Sequence, residues 1–134
     1  MTDFLDAASR HFQDGDHLLS IERLENADQL FGFAAECALK TAVLARTEAS
    51  GDKLPSGYYL HIDELWSKMP SQALRKRYPT LYLLLKQPNP FGNWSVDQRY
   101  AASGTTSREV VEAHRRMTQR IFGALQIHGS RPRH

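Results

Sequence analysis

The sequence predicts an all-helical protein, an up-and-down bundle of four main helices with one additional short helix. Three observations carry this expectation. The row Leu30, Phe33, Ala34, Cys37, Ala38, Thr41, Leu44 and Ala45 follows the i, i+3, i+4, i+7 spacing of one helical face. Two capping-box patterns, Asn26 with Gln29 and Thr106 with Glu109, open helices. No alternating strand pattern of useful length occurs, and Tyr58-Tyr59-Leu60 runs straight into helical spacing. At 134 residues the chain fits one domain spanning 1–134, with residues 130–134 as a frayed tail.

The first helix is expected over Thr2 to Glu22, with Thr2 as N-cap and Gly15 bending it. The central helix runs from Asn26 to Thr47; Ala27, Phe31, Ala35 and Ala42 give it a second apolar face, so it belongs inside the bundle. Gly51, Pro55 and Gly57 mark a loop from Glu48 to Tyr58. A short helix follows over Tyr59 to Lys68. Another covers Gln72 to Gln87, kinked or restarted by Pro79. Residues 88–105 read as a long loop pinned by Trp94 and Tyr100. Thr106 caps the last helix and Gly129 stops it, with Val110, His114, Met117, Ile121, Ala124 and Leu125 as its apolar stripe.

Composition removes several function classes. No run of about 18 apolar residues is present, so no membrane span is expected. Met1-Thr2-Asp3-Phe4 lacks the basic and apolar regions of a signal peptide. Cys37 is the only cysteine, which excludes an internal disulfide and a cysteine-rich zinc site and suits the cytoplasm. Charge is uneven: residues 1–98 hold 10 basic and 13 acidic side chains, and residues 99–134 hold 7 Arg and 2 acids. A basic segment of this kind suits an anionic partner, although an exposed helix needs a charged face in any case.

The stretch Gly32, Ala34, Glu36, Cys37, Ala38, Leu39 and Lys40 resembles the signature of HEPN-domain proteins, small helical bundles of bacteria and archaea. His61 before Leu65, and Trp94 followed by Arg99-Tyr100, are similar to later features of that family. The resemblance covers residues 8–128. It implies a homodimer acting near RNA or nucleotides, in some members as a toxin–antitoxin component beside a nucleotidyltransferase partner. It also implies, for ribonuclease members, an Arg followed after four to six residues by a His. Arg108 and His114 have that spacing, with His114 available for acid–base chemistry and Arg108 for phosphate charge. Glu109 departs from the polar residue expected directly after the Arg. Chance alone supplies about one or two such spacings in this composition; Arg10 and His17 form another.

Other candidates follow from the residues themselves. Glu36 and Lys40 are an i, i+4 pair on a buried helix, where a carboxylate needs a cation. The expectation is that Arg99 reaches Glu36 and ties the Trp94 loop to the central helix. Arg115, Arg116 and Arg120 are candidate phosphate contacts on the last helix, with Glu112 as an internal partner. His61, Asp63 and Glu64 could supply metal ligands, but three adjacent polar residues on a short helix do not by themselves define a site. No phosphate loop, catalytic triad or cofactor motif is present, so no cofactor and no metal are expected. Two readings result: a non-catalytic, dimerising HEPN-like module that binds RNA, a nucleotide or a protein, and an endoribonuclease using Arg108 and His114.

Overall fold

The computed structural model describes residues 2–46 and 53–127. Among them the chain forms α1 (Phe4–Ser20), α2 (Leu24–Arg46), α3 (Ile62–Lys68), α4 (Ser71–Leu74), α5 (Pro79–Leu85) and α6 (Arg108–Leu125), with a 3-10 helix at Val96–Tyr100 and no strand. None of the described helices is long and apolar enough to cross a membrane.

Side-chain pairings set the directions. Gly15 meets Phe31, His11 meets Phe33 and Phe4 meets Lys40, so α1 runs antiparallel to α2. Asp28 pairs with His114 and the Phe31 carbonyl with Thr118, so α6 runs parallel to α2. Between them the chain returns through a fourth column, expected over 72–87 as a helix kinked or restarted at Pro79 and found as two short helices, the second restarted there. Pro79 starts α5 as its first residue, where the missing N–H costs nothing. The all-helical bundle is therefore what the chain forms.

The helix on which the prediction rested is the centre of the molecule. Ala34, Ala35, Ala38 and Ala42 are completely buried, and their small side chains let α1 and α6 approach closely. Phe12 of α1 fills the junction, its ring 5.4 Å from that of Phe31 and 5.3 Å from that of Phe122. Cys37 lies on the same helix, and burial, then the neighbouring Glu36 carboxylate, push its thiol up to about 12. A thiol reagent at pH 8 is therefore expected to leave Cys37 untouched in the folded protein and to label it fully in denaturant. Rapid labelling without denaturant would show that this part of the core opens.

Several boundaries differ from expectation, each for a local reason. Asp3, not Thr2, caps α1, its carboxylate accepting from the Asp6 N–H at 3.0 Å. Helix α1 runs unbroken through Gly15. That glycine makes room for Phe31, since a Cβ there would lie 2.9 Å from that ring. Helix α1 ends in a Schellman turn: Arg23 N–H donates to Leu18 O, Glu22 N–H to Leu19 O, and Glu22 takes a left-handed φ of 61°. That turn delivers the chain directly into α2 at Leu24, so Asn26 sits inside the first turn rather than capping it.

Ser107, not Thr106, caps α6 by accepting from Val110 N–H at 3.2 Å. A second Schellman turn ends α6, with Gln126 left-handed at φ 59° and Ile127 N–H donating to Phe122 O. The helix thus stops before Gly129, which lies outside the described residues, as do Thr47, residues 48–52 of the predicted loop and the 130–134 tail. On α6 the buried apolar residue of the first turns is Val111 rather than Val110.

Candidate functional site

Helix α2 carries a seam of polar residues through the core: Glu25, Asp28, Gln29, Glu36 and Lys40, interrupted by Gly32. The spacing keeps them along one side of the helix. Buried polar groups need partners: other segments supply them to Glu25, Asp28, Gln29 and Glu36, while Lys40 bonds to Glu36 within α2. Glu25 accepts the Thr106 N–H at 3.0 Å. Partial burial works to raise the Glu25 carboxyl, but backbone N–H bonds from Thr106 and Gly104 outweigh it and hold it low. The Gln29 amide donates to Ser95 O at 2.6 Å and to Gln98 Oε1 at 3.2 Å. Glu36 accepts from Lys40 at 2.9 Å on one oxygen and from His61 Nδ1 at 3.0 Å on the other.

Arg99 therefore does not reach Glu36: both carboxylate oxygens are taken. Its guanidinium lies 4.8 Å above the ring of Tyr100, which is 76% exposed and pins nothing. The loop is tied down by Trp94 instead. Its indole N–H donates to Asp28 O at 2.9 Å, and its ring occupies the space left by the missing side chain of Gly32. Phe33 meets Trp94 edge-on at 5.5 Å and touches His11 and His61 on its flanks. Burial, then the nearby Arg10, lower His11 below its ordinary value. Glu36, Lys40 and Trp94 are buried; Arg99 and Tyr100 are surface residues.

Arg108 and His114 are not brought together. Six residues along a helix place them about 9 Å apart in rise and on different sides. His114 is 1% exposed. Its Nδ1–H donates to Asp28 at 2.7 Å, its Nε2 meets the Asn93 amide at 2.7 Å, and its ring stacks on Phe91 at 5.2 Å. Both nitrogens are spent inside the fold, so neither can serve a substrate in this conformation. Arg108 is on the surface, bridging Glu112 at 3.3 Å and Glu22 at 3.0 Å. Those hydrogen bonds, Glu112 first, raise it further above the usual arginine range.

The other arginines of α6 divide by partner. An open cleft of about 680 Å³ runs between the end of α1 and α6, lined by Asp16, Leu19, Ser20, Arg108, Glu112, Arg115 and Arg116. Arg115 clamps both oxygens of Asp16 and lies over the Phe12 ring, so its charge is used. Arg116 and Arg120, one turn apart and exposed, have no carboxylate partner among the described residues. Asp63 and Glu64 do not combine with His61: among the described residues no group of three or more His, Cys, Asp or Glu is placed to hold a metal ion.

One charged region escaped the comparison of chain halves. Residues 65–96 contain Lys68, Arg75, Lys76, Arg77 and Lys86 and not a single acid. Acids elsewhere in residues 1–98 outnumber the bases there, so the net charge of that half does not show it. In the structure this run is the returning column, and Arg75 and Lys86 each lie against the ring of Tyr82, at 5.2 Å and 5.0 Å from its centre. No protein-family model, curated protein or solved structure matches the chain.

Proposed function

We propose that the protein is a non-catalytic, HEPN-like helical module that binds RNA along the exposed side of α6. The observation that carries this reading is the pair Arg116 and Arg120, exposed one turn apart without carboxylates to neutralise them. Unpaired cations at that spacing attract a phosphate backbone without reading its sequence. The non-catalytic part is supported by His114, whose two nitrogens are committed to Asp28 and Asn93. A homodimer, alone or beside a nucleotidyltransferase partner, belongs to the same reading through the resemblance of the central helix.

The test is fluorescence anisotropy of a labelled single-stranded RNA against protein at a series of salt concentrations. Each phosphate contact in a single strand contributes about 0.7 to the slope of log K against log salt. Arg116→Ala/Arg120→Ala is expected to lower that slope by about 1.4 while the RNA is recovered uncut. Binding unchanged in the double variant would remove α6 as the RNA surface. Cleavage of the RNA would restore the endoribonuclease reading with Arg108 and His114.

A further inference from the structure

A second open pocket lies on the returning column, away from the α1–α6 cleft. Gln72, Arg75, Lys76, Pro79, Tyr82 and Leu83 line a pocket of about 600 Å³. That volume is in the range of small-molecule sites. Its two cations face no acid: the lining has none, and among the described residues neither Arg75 nor Lys76 has a carboxylate partner. An ordinary solvated surface intersperses both signs, as the Arg108–Glu112–Glu22 group does. Here one sign stands alone.

Tyr82 supplies an independent observation. The body of Tyr82 is covered by its neighbours while its hydroxyl opens to solvent, and the hydroxyl oxygen receives two donors, Lys86 Nζ at 3.1 Å and Gln72 Nε2 at 3.5 Å. A phenol has one proton to give, and among the described residues no group accepts this one. Both donors, Lys86 first, also lower the phenol below its usual range and so make it a stronger donor. Arg75 stacks on the same ring, and among the described residues its guanidinium makes no hydrogen bond, leaving its N–H groups unspent. Beside these donors stand Pro79 and Leu83, the latter 62% exposed, as an apolar wall.

We propose that this pocket binds a phosphate monoester carried on a flat, weakly polar body. Two cations match the double charge of the monoester, Arg75 presents planar donors, and Tyr82 gives its free proton to a phosphate oxygen. The carrier lies against Pro79 and Leu83. The shared chemistry is that of an aryl or nucleoside phosphate, free in solution or at the 5′ end of an RNA strand. The inference does not rest on the α6 reading, because different residues on a different column carry it.

Isothermal titration calorimetry of the full chain tests it with phenyl phosphate, phenol, phenyl sulfate, adenosine monophosphate and a 5′-phosphorylated RNA hexamer. Phenyl phosphate is expected to bind at least about tenfold more tightly than the singly charged phenyl sulfate, and phenol not detectably. Arg75→Ala and Tyr82→Phe should each weaken phenyl phosphate about tenfold at unchanged melting temperature, while Arg116→Ala/Arg120→Ala binds it as the wild type does. Equal affinity for the free nucleotide and the phosphorylated hexamer assigns the site to a free ligand, and a tighter hexamer assigns it to a strand end. Should Tyr82→Phe lower the melting temperature, Arg75→Ala/Lys76→Ala, both on the surface, gives the same readout. No binding of phenyl phosphate, or equal binding by the Arg75 variants, overturns the proposal.

Discussion

Gly32→Ala is expected to expel Trp94 from the core and destabilise the protein by about 3–5 kcal/mol, the cost of losing a buried tryptophan. A Cβ at position 32 would lie 2.1 Å from Cε2 and 2.2 Å from Nε1 of the indole. Ordinary overpacking is relieved by small shifts and costs about 1–3 kcal/mol. Here the ring cannot shift, because its N–H is bonded to Asp28 O at 2.9 Å and the side chain is 1% exposed. The measurement is urea denaturation, with tryptophan emission recorded in a Trp66→Phe background so that Trp94 reports alone. Emission should move to the red in the variant under native conditions. Gly123→Ala is the control: it meets open space on α6 and should stabilise by roughly 0.5–1 kcal/mol. A Gly32→Ala protein within about 1 kcal/mol of wild type would mean that the indole has another place to go.

The second large effect is His114→Ala. It leaves the Asp28 carboxylate, itself 1% exposed, without its hydrogen-bond donor in the core. Breaking a buried pair from one side costs about 3–5 kcal/mol, against a total stability of about 5–15 kcal/mol for a domain of this kind. The ring's contact with Phe91 and the bond to Asn93 go with it. Denaturation of His114→Ala, Asp28→Asn and the double variant should show strong coupling, the double costing much less than the sum. Additive losses would mean that the two side chains stabilise the fold separately. Since the substitution strikes the core, lost activity in His114→Ala would by itself say nothing of catalysis.

Much of this architecture is legible from local spacing. The alanine-rich face of α2, its place at the centre and the break at Pro79 all follow from residues within one or two turns of each other. The polar seam does not. Asp28 and His114 are 86 positions apart, and Asn93 joins them from a third segment. Periodicity placed His114 correctly on the inner stripe of α6 but gave no sign of its acid partner. For Glu36 the requirement for a cation was sound, while the choice of Arg99 failed because Lys40 and His61 were closer. Cap positions slipped by a residue where two hydroxyls or carboxylates stand side by side, as at Thr106-Ser107 and Thr2-Asp3. The basic returning column was visible in the sequence as an acid-free run, and only the span chosen for counting charge hid it.

The Asp28–His114 bond also bears on the order in which the molecule can be made. Helices α1 and α2 are neighbours in the chain and close on each other through nearby contacts, which form early and fast. During synthesis Asp28 emerges long before the helix that carries its partner, and until then water must solvate it. The hairpin can collapse on its alanines and phenylalanines, but its carboxylate cannot be sealed before α6 has left the ribosome. Burial of that one side chain is therefore completed by the docking of the last helix.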